Sequence, residues 1–303
     1  MPVQYRSWVE ISTEQICANF RAVRAATGSA VETAAVVKSD AYGHGAAKVA
    51  HALAAQGARW FAVTSAEEGV ALREAGIEAD ILVMADGLPF TWAALVDYRL
   101  TPALHGLELL RALDEYAAAR GVIIPYHLKL DTGMGRMGAL DDAQRIAAVV
   151  RAAKHLELGG LMSHFASAAD FSTPQADCQT ETFGELCGEL AKLGIAPPLR
   201  HMASTNAVAY GRREAFHNMV RIGLGLYGYV SPASGRAPRT ILDVQPALAW
   251  KAAVIAAKQV PEGALIGYGG LYRATRPTTI AVLGAGYADG VPHRLSNRWH
   301  VLA

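Results

Sequence analysis

Apolar residues in this chain come in short unbroken runs, each followed by a polar or glycine-rich turn and then by a stretch with helical periodicity. Such runs suit strands buried on both faces of a parallel sheet. The pattern predicts strands over residues 34–38, 60–64, 81–84, 101–105, 126–131, 158–164, 199–204 and 220–227. Helical patterns fill the intervals at 45–56, 66–75, 107–120, 142–155 and 175–193. Gly57, Gly76, Gly121 and Gly194 stand where left-handed C-caps are expected. Ahead of the repeat, 7–11 alternates like a strand with one buried face. Ser12 or Thr13 then stands as the N-cap of a helix through Ile16, Phe20 and Val23.

Eight strands alternating with helices predict an α/β fold, and eight is the count of a closed (β/α)8 TIM-type barrel. A doubly wound open sheet is the alternative. The barrel is preferred because no strand ends in G-x-G-x-x-G and because polar residues of chemical interest follow many different strands. After Tyr229 the texture changes. Residues 231–239, S-P-A-S-G-R-A-P-R, read as a linker, and strands are predicted beyond it at 247–260, 278–284 and 299–302. The expected division is an N-terminal strand (1–12) associated with a β domain, a barrel (13–230), and a small β domain (231–303) shortened at its C-terminus.

With 303 residues, 52% hydrophobic and 18% charged, the chain is a packed globular protein of one large domain or two. A net charge of +1 gives no electrostatic case for nucleic acid or an acidic membrane surface. No apolar run approaches the ~20 residues that span a bilayer, and the first residues have no signal-peptide core. Cys17, Cys178 and Cys187 lack metal-ligand spacing, so a reduced, cytoplasmic protein is expected, with no metal.

The first barrel run, A-A-V-V-K-S-D-A-Y-G-H-G, delivers Lys38 to the point where an apolar interior meets a mouth of loops. Desolvation there lowers an amine's pKa and makes it a nucleophile or Schiff-base former; the bland reading is a lysine reaching into water. Later strand ends add Lys129, Asp131 and Arg136, then Ser163 and His164, then His201, Ser204, Thr205 and Asn206, then Arg221, Gly223 and Gly225. Singly, each has an ordinary explanation: a satisfied core histidine, an arginine paired with a carboxylate, a hydroxyl capping a helix. Converging on one barrel rim, they offer an amine, several cations and a cradle for a phosphate. Pyridoxal phosphate needs that set, its aldehyde going to the amine and its phosphate to N–H groups. A cofactor-free aldolase-type barrel using Lys38 stays open on the residues alone.

The motifs A-V-V-K-S-D-A-Y-G-H-G, L-K-L-D-T-G-M-G-R-M-G, M-S-H-F-A-S, M-V-R-I-G and I-G-Y-G-G-L-Y-R-A…G-A-G-Y-A-D-G resemble those of the bacterial alanine racemases, pyridoxal phosphate enzymes of fold type III. The match runs in order along nearly the whole chain. The resemblance implies a homodimer with shared active sites and an amino-acid substrate, with L- and D-alanine interconverted by Lys38 and by Tyr268 from the partner subunit. Tyr42, His164, Thr205, Arg221, Gly223 and Leu224 would hold the cofactor. Arg136 and Tyr287 would face the substrate. Lys129, carbamylated in some relatives, would support Arg136. The alternatives are a broad-specificity or serine racemase, or a cofactor-binding protein with little turnover. Ser39 replaces the family's usual alanine, and A-S-T (Ala203, Ser204, Thr205) its usual A-N-S. A late C-M-D loop and a late tyrosine of the family have no counterpart here.

Overall fold

The computed structural model describes residues 5–302, which form two compact units. One is Ser12–Ala247; the other consists of the residues up to Ile11 and those from Leu248 on. The first is a closed barrel. Its eight strands are Glu32–Val36, Trp60–Val63, Asp80–Val83, Thr101–Leu104, Ile124–Lys129, Leu156–Met162, Leu199–Ser204 and Met219–Ile222. All are parallel and paired in chain order, and the eighth returns to the first with Arg221 opposite Ala34.

The unbroken apolar runs have a direct cause in this architecture. In the second strand Phe61 and Val63 point outward to the helices, while Ala62 joins Val36, Leu82, Ala103 and Met162 in the filling of the barrel. Both faces of each strand are dry, so apolar residues predominate on both, and the few polar ones, such as His127, Lys129, His201 and Arg221, are buried. Each large side chain fully buried on the outer face, such as Phe61 or Ile81, contributes about 1.5–3 kcal/mol. The helices end as their sequence expects. Gly57, Gly76, Gly121 and Gly194 take φ of +85°, +85°, +65° and +75°. Ser12 caps Thr13–Thr27, its Oγ accepting from Gln15 N at 3.0 Å.

Several segments differ from the sequence expectation. The eighth strand stops at Ile222, because Gly223 (φ −105°, ψ −96°) turns the chain into the 3-10 turn Leu224–Tyr227. The proline- and glycine-rich stretch after Tyr229 packs on the barrel unit. Tyr210 Oη donates to Ser231 O at 2.7 Å, Ile241 N donates to Ala209 O at 2.8 Å, and Leu242 is buried. Residues 299–302 pair with no strand among the described residues, and without ladder bonds an apolar run is not a strand.

In the second unit, Ser7–Ile11 pairs antiparallel with Leu248–Ala252, and Val254–Val260 with Thr278–Leu283. The single strand expected over 247–260 is split at Ala253, whose N–H donates to Arg6 O and whose carbonyl accepts from Gly284 N, each at 2.8 Å. A short hairpin, Leu265–Ile266 with Tyr272–Arg273, presents the turn that carries Tyr268. No described helix is long and apolar enough to cross a membrane.

One buried amide fastens the end of the barrel to its beginning. Asn19 Nδ2 donates to Leu226 O and Gln245 O, both at 2.9 Å, and Asn19 Oδ1 accepts from Gln245 N at 3.0 Å. Asn19→Ala leaves two carbonyls and an N–H without partners and is expected to lower the unfolding free energy by about 2–3 kcal/mol in urea titrations. Gln15→Ala, which touches the same amide from the half-buried side, is expected to cost less than about 0.5 kcal/mol. Equal midpoints for the two variants would refute the assignment.

Candidate active site

Lys38 follows the first barrel strand, and the backbone after it is unusual. Ser39, Asp40, Ala41 and Tyr42 all lie in the left-handed helical region, with φ of 52°, 52°, 55° and 55°. Each such residue costs roughly 1–2 kcal/mol relative to a right-handed turn. Dedicated partners offset that cost. Glu68 accepts from Ser39 N at 2.5 Å and from Thr64 N at 2.7 Å, which ties the turn to the end of the second strand. Asp40 Oδ1 accepts from Ala46 N at 2.7 Å, and His44 Nδ1 donates to Ala41 O at 3.0 Å. The turn sends Lys38 and Tyr42 to the same cavity, with Nζ 6.0 Å from the phenol ring centroid. Behind Tyr42 stands Tyr227, at 5.1 Å between ring centroids, its hydroxyl donating to Val36 O at 2.9 Å.

That cavity, of about 470 Å³, opens at the C-terminal ends of the barrel strands. Besides Lys38 and Tyr42 it is lined by Lys129 and Arg136, by His164, by Thr205, and by Arg221, Gly223 and Leu224. Gly223 is there for a steric reason. A Cβ at that position would lie 2.6 Å from Tyr42 Oη, so glycine alone lets the turn close against the phenol. Thr205 Oγ1 accepts from Gly225 N at 3.1 Å and fixes the turn from its other side. Leu224 opens the 3-10 turn, so its N–H has no acceptor within it. Hydroxyls, an open backbone N–H and cations make this end of the cavity suited to a phosphate. Sequence reasoning missed Thr64, Met84, Ala85, Met137 and Met162 in the lining, and Glu68 behind it. Tyr268 and Tyr287 belong to the second unit, where they are 94% and 58% exposed.

The electrostatic centre is Arg221, 3% exposed. Its Nη1 donates to His201 Nδ1 and to His201 O at 3.1 Å; its Nη2 donates to Ser163 O at 2.7 Å and His164 Nδ1 at 3.1 Å. Four of the five guanidinium protons are thus occupied, and Nε–H has no acceptor among the described residues. Burial lowers the Arg221 pKa to about 10, which still leaves it protonated at neutral pH. Burial, then the Arg221 charge, lowers His164 to about 3, with Lys129, Arg136 and Lys38 adding to the effect. His201 is held well below its ordinary value by the same two causes. The Lys129 amine falls to about 8, first through burial and then through Arg136 and Arg221. Arg136 rides on a loop whose turn is tied by Asp131 Oδ1, accepting from Gly133 N, Met134 N and Gly135 N at 3.0–3.1 Å. Near it, Thr132 Oγ1 and Ser163 Oγ share a hydrogen bond of 2.8 Å that joins the loops after the fifth and sixth strands.

Comparison with known proteins agrees with this geometry. The family described as "Alanine racemase, N-terminal domain" matches residues 11–232, and "Alanine racemase, C-terminal domain" matches residues 247–303. The alanine racemase of Carboxydothermus hydrogenoformans is 40% identical over 296 residues, covering 97% of this chain and 79% of that protein. That of Synechocystis sp. is 38% identical, covering 99% and 80%. The solved alanine racemase of a D-cycloserine-producing Streptomyces lavendulae superposes with a TM-score of 0.85 at 32% identity, covering 98% of this chain and 78% of that one. The alanine racemase of Bartonella henselae, solved with covalently bound pyridoxal phosphate, superposes at 0.80 with 25% identity, covering 96% and 79%. A lysine on a left-handed turn, an arginine walled in by histidines and a matching sequence over nearly its full length place this chain in the alanine racemase family.

Proposed function

We infer that this chain binds pyridoxal 5′-phosphate at the barrel mouth and interconverts L- and D-alanine there. One observation carries the reading. The amine of Lys38 and the cradle of Tyr42, Thr205, Gly223 and Leu224 open on one cavity, and a Cβ on Gly223 would lie 2.6 Å from Tyr42 Oη. The residues fit the group: an amine for the aldehyde, N–H and hydroxyl donors for the phosphate, and one free guanidinium N–H, that of Arg221 Nε, for the ring nitrogen.

When bound, the cofactor supplies an electron sink for the charge that develops as the substrate Cα loses its proton. Arg221 has only protons to give, so facing the ring nitrogen it leaves that nitrogen unprotonated and limits the sink. Inversion at Cα requires one group to remove a proton from one face and another to return one to the opposite face. Lys38 would hold the cofactor, and its amine would serve one face. Tyr268 of a second copy serves the other. Its 94% exposure within its own chain supports that assignment. Arg136 binds the substrate carboxylate, and Tyr287 of the second copy narrows the entrance. The enzyme is on this reading a cytoplasmic homodimer, with Cys17, Cys178 and Cys187 as free thiols.

Lys129 supports Arg136 most simply as a carbamate. Its amine, at about 8, stands in the field of Arg136 and Arg221. Attack of the neutral amine on carbon dioxide forms one N–C bond, releases one proton, and replaces a repelled cation by an anion. The neutral fraction falls tenfold for each pH unit below 8, so a carbamate signal from 13C-labelled bicarbonate is expected at pH 8.5 and a much weaker one at pH 6.5. A signal absent at both, or unaffected by Lys129→Ala, would remove this part of the reading.

The test of the whole is direct: the purified chain with pyridoxal phosphate should show the visible band of the covalently bound cofactor, and L-alanine should lose its circular dichroism. A band without loss of the signal would contradict racemisation. Lys38→Ala should abolish both. Tyr268→Phe should keep the band and lower kcat/KM about 10²–10⁴-fold. The loss must be equal from either enantiomer, because their equilibrium constant is one. In D2O this variant should still exchange the Cα proton of a single enantiomer, and exchange of neither or both would exclude Tyr268 as the second base. Gly223→Ala should weaken cofactor binding at least tenfold, about 1.4 kcal/mol, in spectroscopic titrations; unchanged affinity would exclude the cradle.

A further inference from the structure

The imidazoles behind Arg221 form a line whose protons can be counted. His201 is fully buried on the seventh strand, and its Nε2 lies 2.8 Å from Nδ1 of His127, a buried residue of the fifth strand. Both rings are neutral, since burial and the Arg221 charge hold His127 at about 3 and His201 well below its ordinary value. Each therefore carries a single N–H. Arg221 is a donor only, so His201 Nδ1 must accept from it, and the one proton of His201 must sit on Nε2. That proton points at His127 Nδ1, which must accept, so the one proton of His127 sits on its Nε2. The last atom in the line is His127 Nε2, buried and without a hydrogen-bond partner.

We propose that His127, although absent from the cavity wall, is a positioning residue for Arg221: it holds His201 as the Nε2–H tautomer and so keeps Nδ1 available to anchor the guanidinium. The inference rests on the reading of Arg221 as the cofactor's partner for its catalytic consequence, but not for the tautomers themselves. The barrel makes room for this ring at a cost. A Cβ on Gly160 would come within 2.9 Å of three of its atoms, which accounts for glycine at that place in the sixth strand. Trp60 lies against the ring at 5.3 Å between centroids. An unpaired buried N–H is tolerated here because it lies at the far end of the line from the guanidinium. Without His127 the unpaired N–H would move to His201, whose escape is the Nδ1–H tautomer, and that tautomer sets a donor against Arg221.

The experiment uses the cofactor-loaded protein labelled with 15N-histidine, with ring tautomers read from long-range 1H–15N correlations assigned through single substitutions. Both His127 and His201 are expected as neutral Nε2–H rings between pH 6 and 8, and an Nδ1–H form of either overturns the proposal. His127→Leu and His127→Asn are close in shape, but only asparagine offers an acceptor to His201 Nε2–H. The leucine variant should convert His201 to Nδ1–H, shift the visible band of the cofactor and lower kcat at least fivefold with a smaller change in KM; the asparagine variant should restore all three. A leucine variant with the native His201 tautomer and native band refutes the role. Should it fail to fold, Gly160→Ala displaces the same imidazole and must reproduce the band shift, and a native spectrum there refutes it equally. If the protein binds no pyridoxal phosphate, the reading of the cavity fails, while the tautomers in the free protein still decide this one.

Discussion

A guanidinium sealed inside the barrel is the constraint to which the rest of the site answers. A buried cation is tolerated only where acceptors replace the water it loses, and Arg221 takes these from three carbonyls and two imidazoles on the loops and strands beside it. Burial first, and then the same charge, sets the protonation of its neighbours. His164, His201 and His127 stay neutral around it, and the Lys129 amine is weakened. Burial and the neighbouring cations together thus set the ionisation of the cavity floor. The groups that touch it are left as acceptors toward the arginine and as donors elsewhere.

The other wall is built on strain. Four successive residues without glycine wind left-handed after Lys38, and they hold because Glu68, Asp40 and His44 supply partners to the backbone there. The strain is local and the compensation is not, since Glu68 belongs to the helix after the second strand. The turn is therefore a product of the closed barrel and would not persist in an isolated segment.

How much of this could be read from the residues follows the same division. The barrel was readable because dry faces on both sides of a strand leave apolar runs, and because Gly57, Gly76, Gly121 and Gly194 mark where helices stop. Lys38, Arg136, His164, Thr205 and Arg221 could be found because strand ends in a barrel converge. The left-handed turn could not be: S-D-A-Y has no residue that demands positive φ, and the contacts that hold it lie far along the chain. His127 was equally hidden, since one histidine in an apolar strand looks like core until its neighbour across the sheet is known. The stretch after Tyr229 misled because prolines and glycines mark both linkers and tightly strapped loops; here Asn19 and Gly228 hold the strap, a Cβ on Gly228 meeting Gln245 O at 2.0 Å. Tyr268 and Tyr287 owe their assignment to family resemblance, for nothing around an exposed tyrosine marks it in one chain.

The reversed winding after the first strand also bears on how the lysine's address is written into the chain. Side chains on a one-turn helix fan out by roughly 100° per residue, and reversing the hand reverses the fan. An amine moved one place along this turn would swing toward a wall or toward solvent, and no change of rotamer would bring it back. Transplanting the reactive lysine into another barrel would accordingly require the counter-wound segment and its glutamate together, since the sequence around the lysine, grafted alone, would relax to the opposite hand.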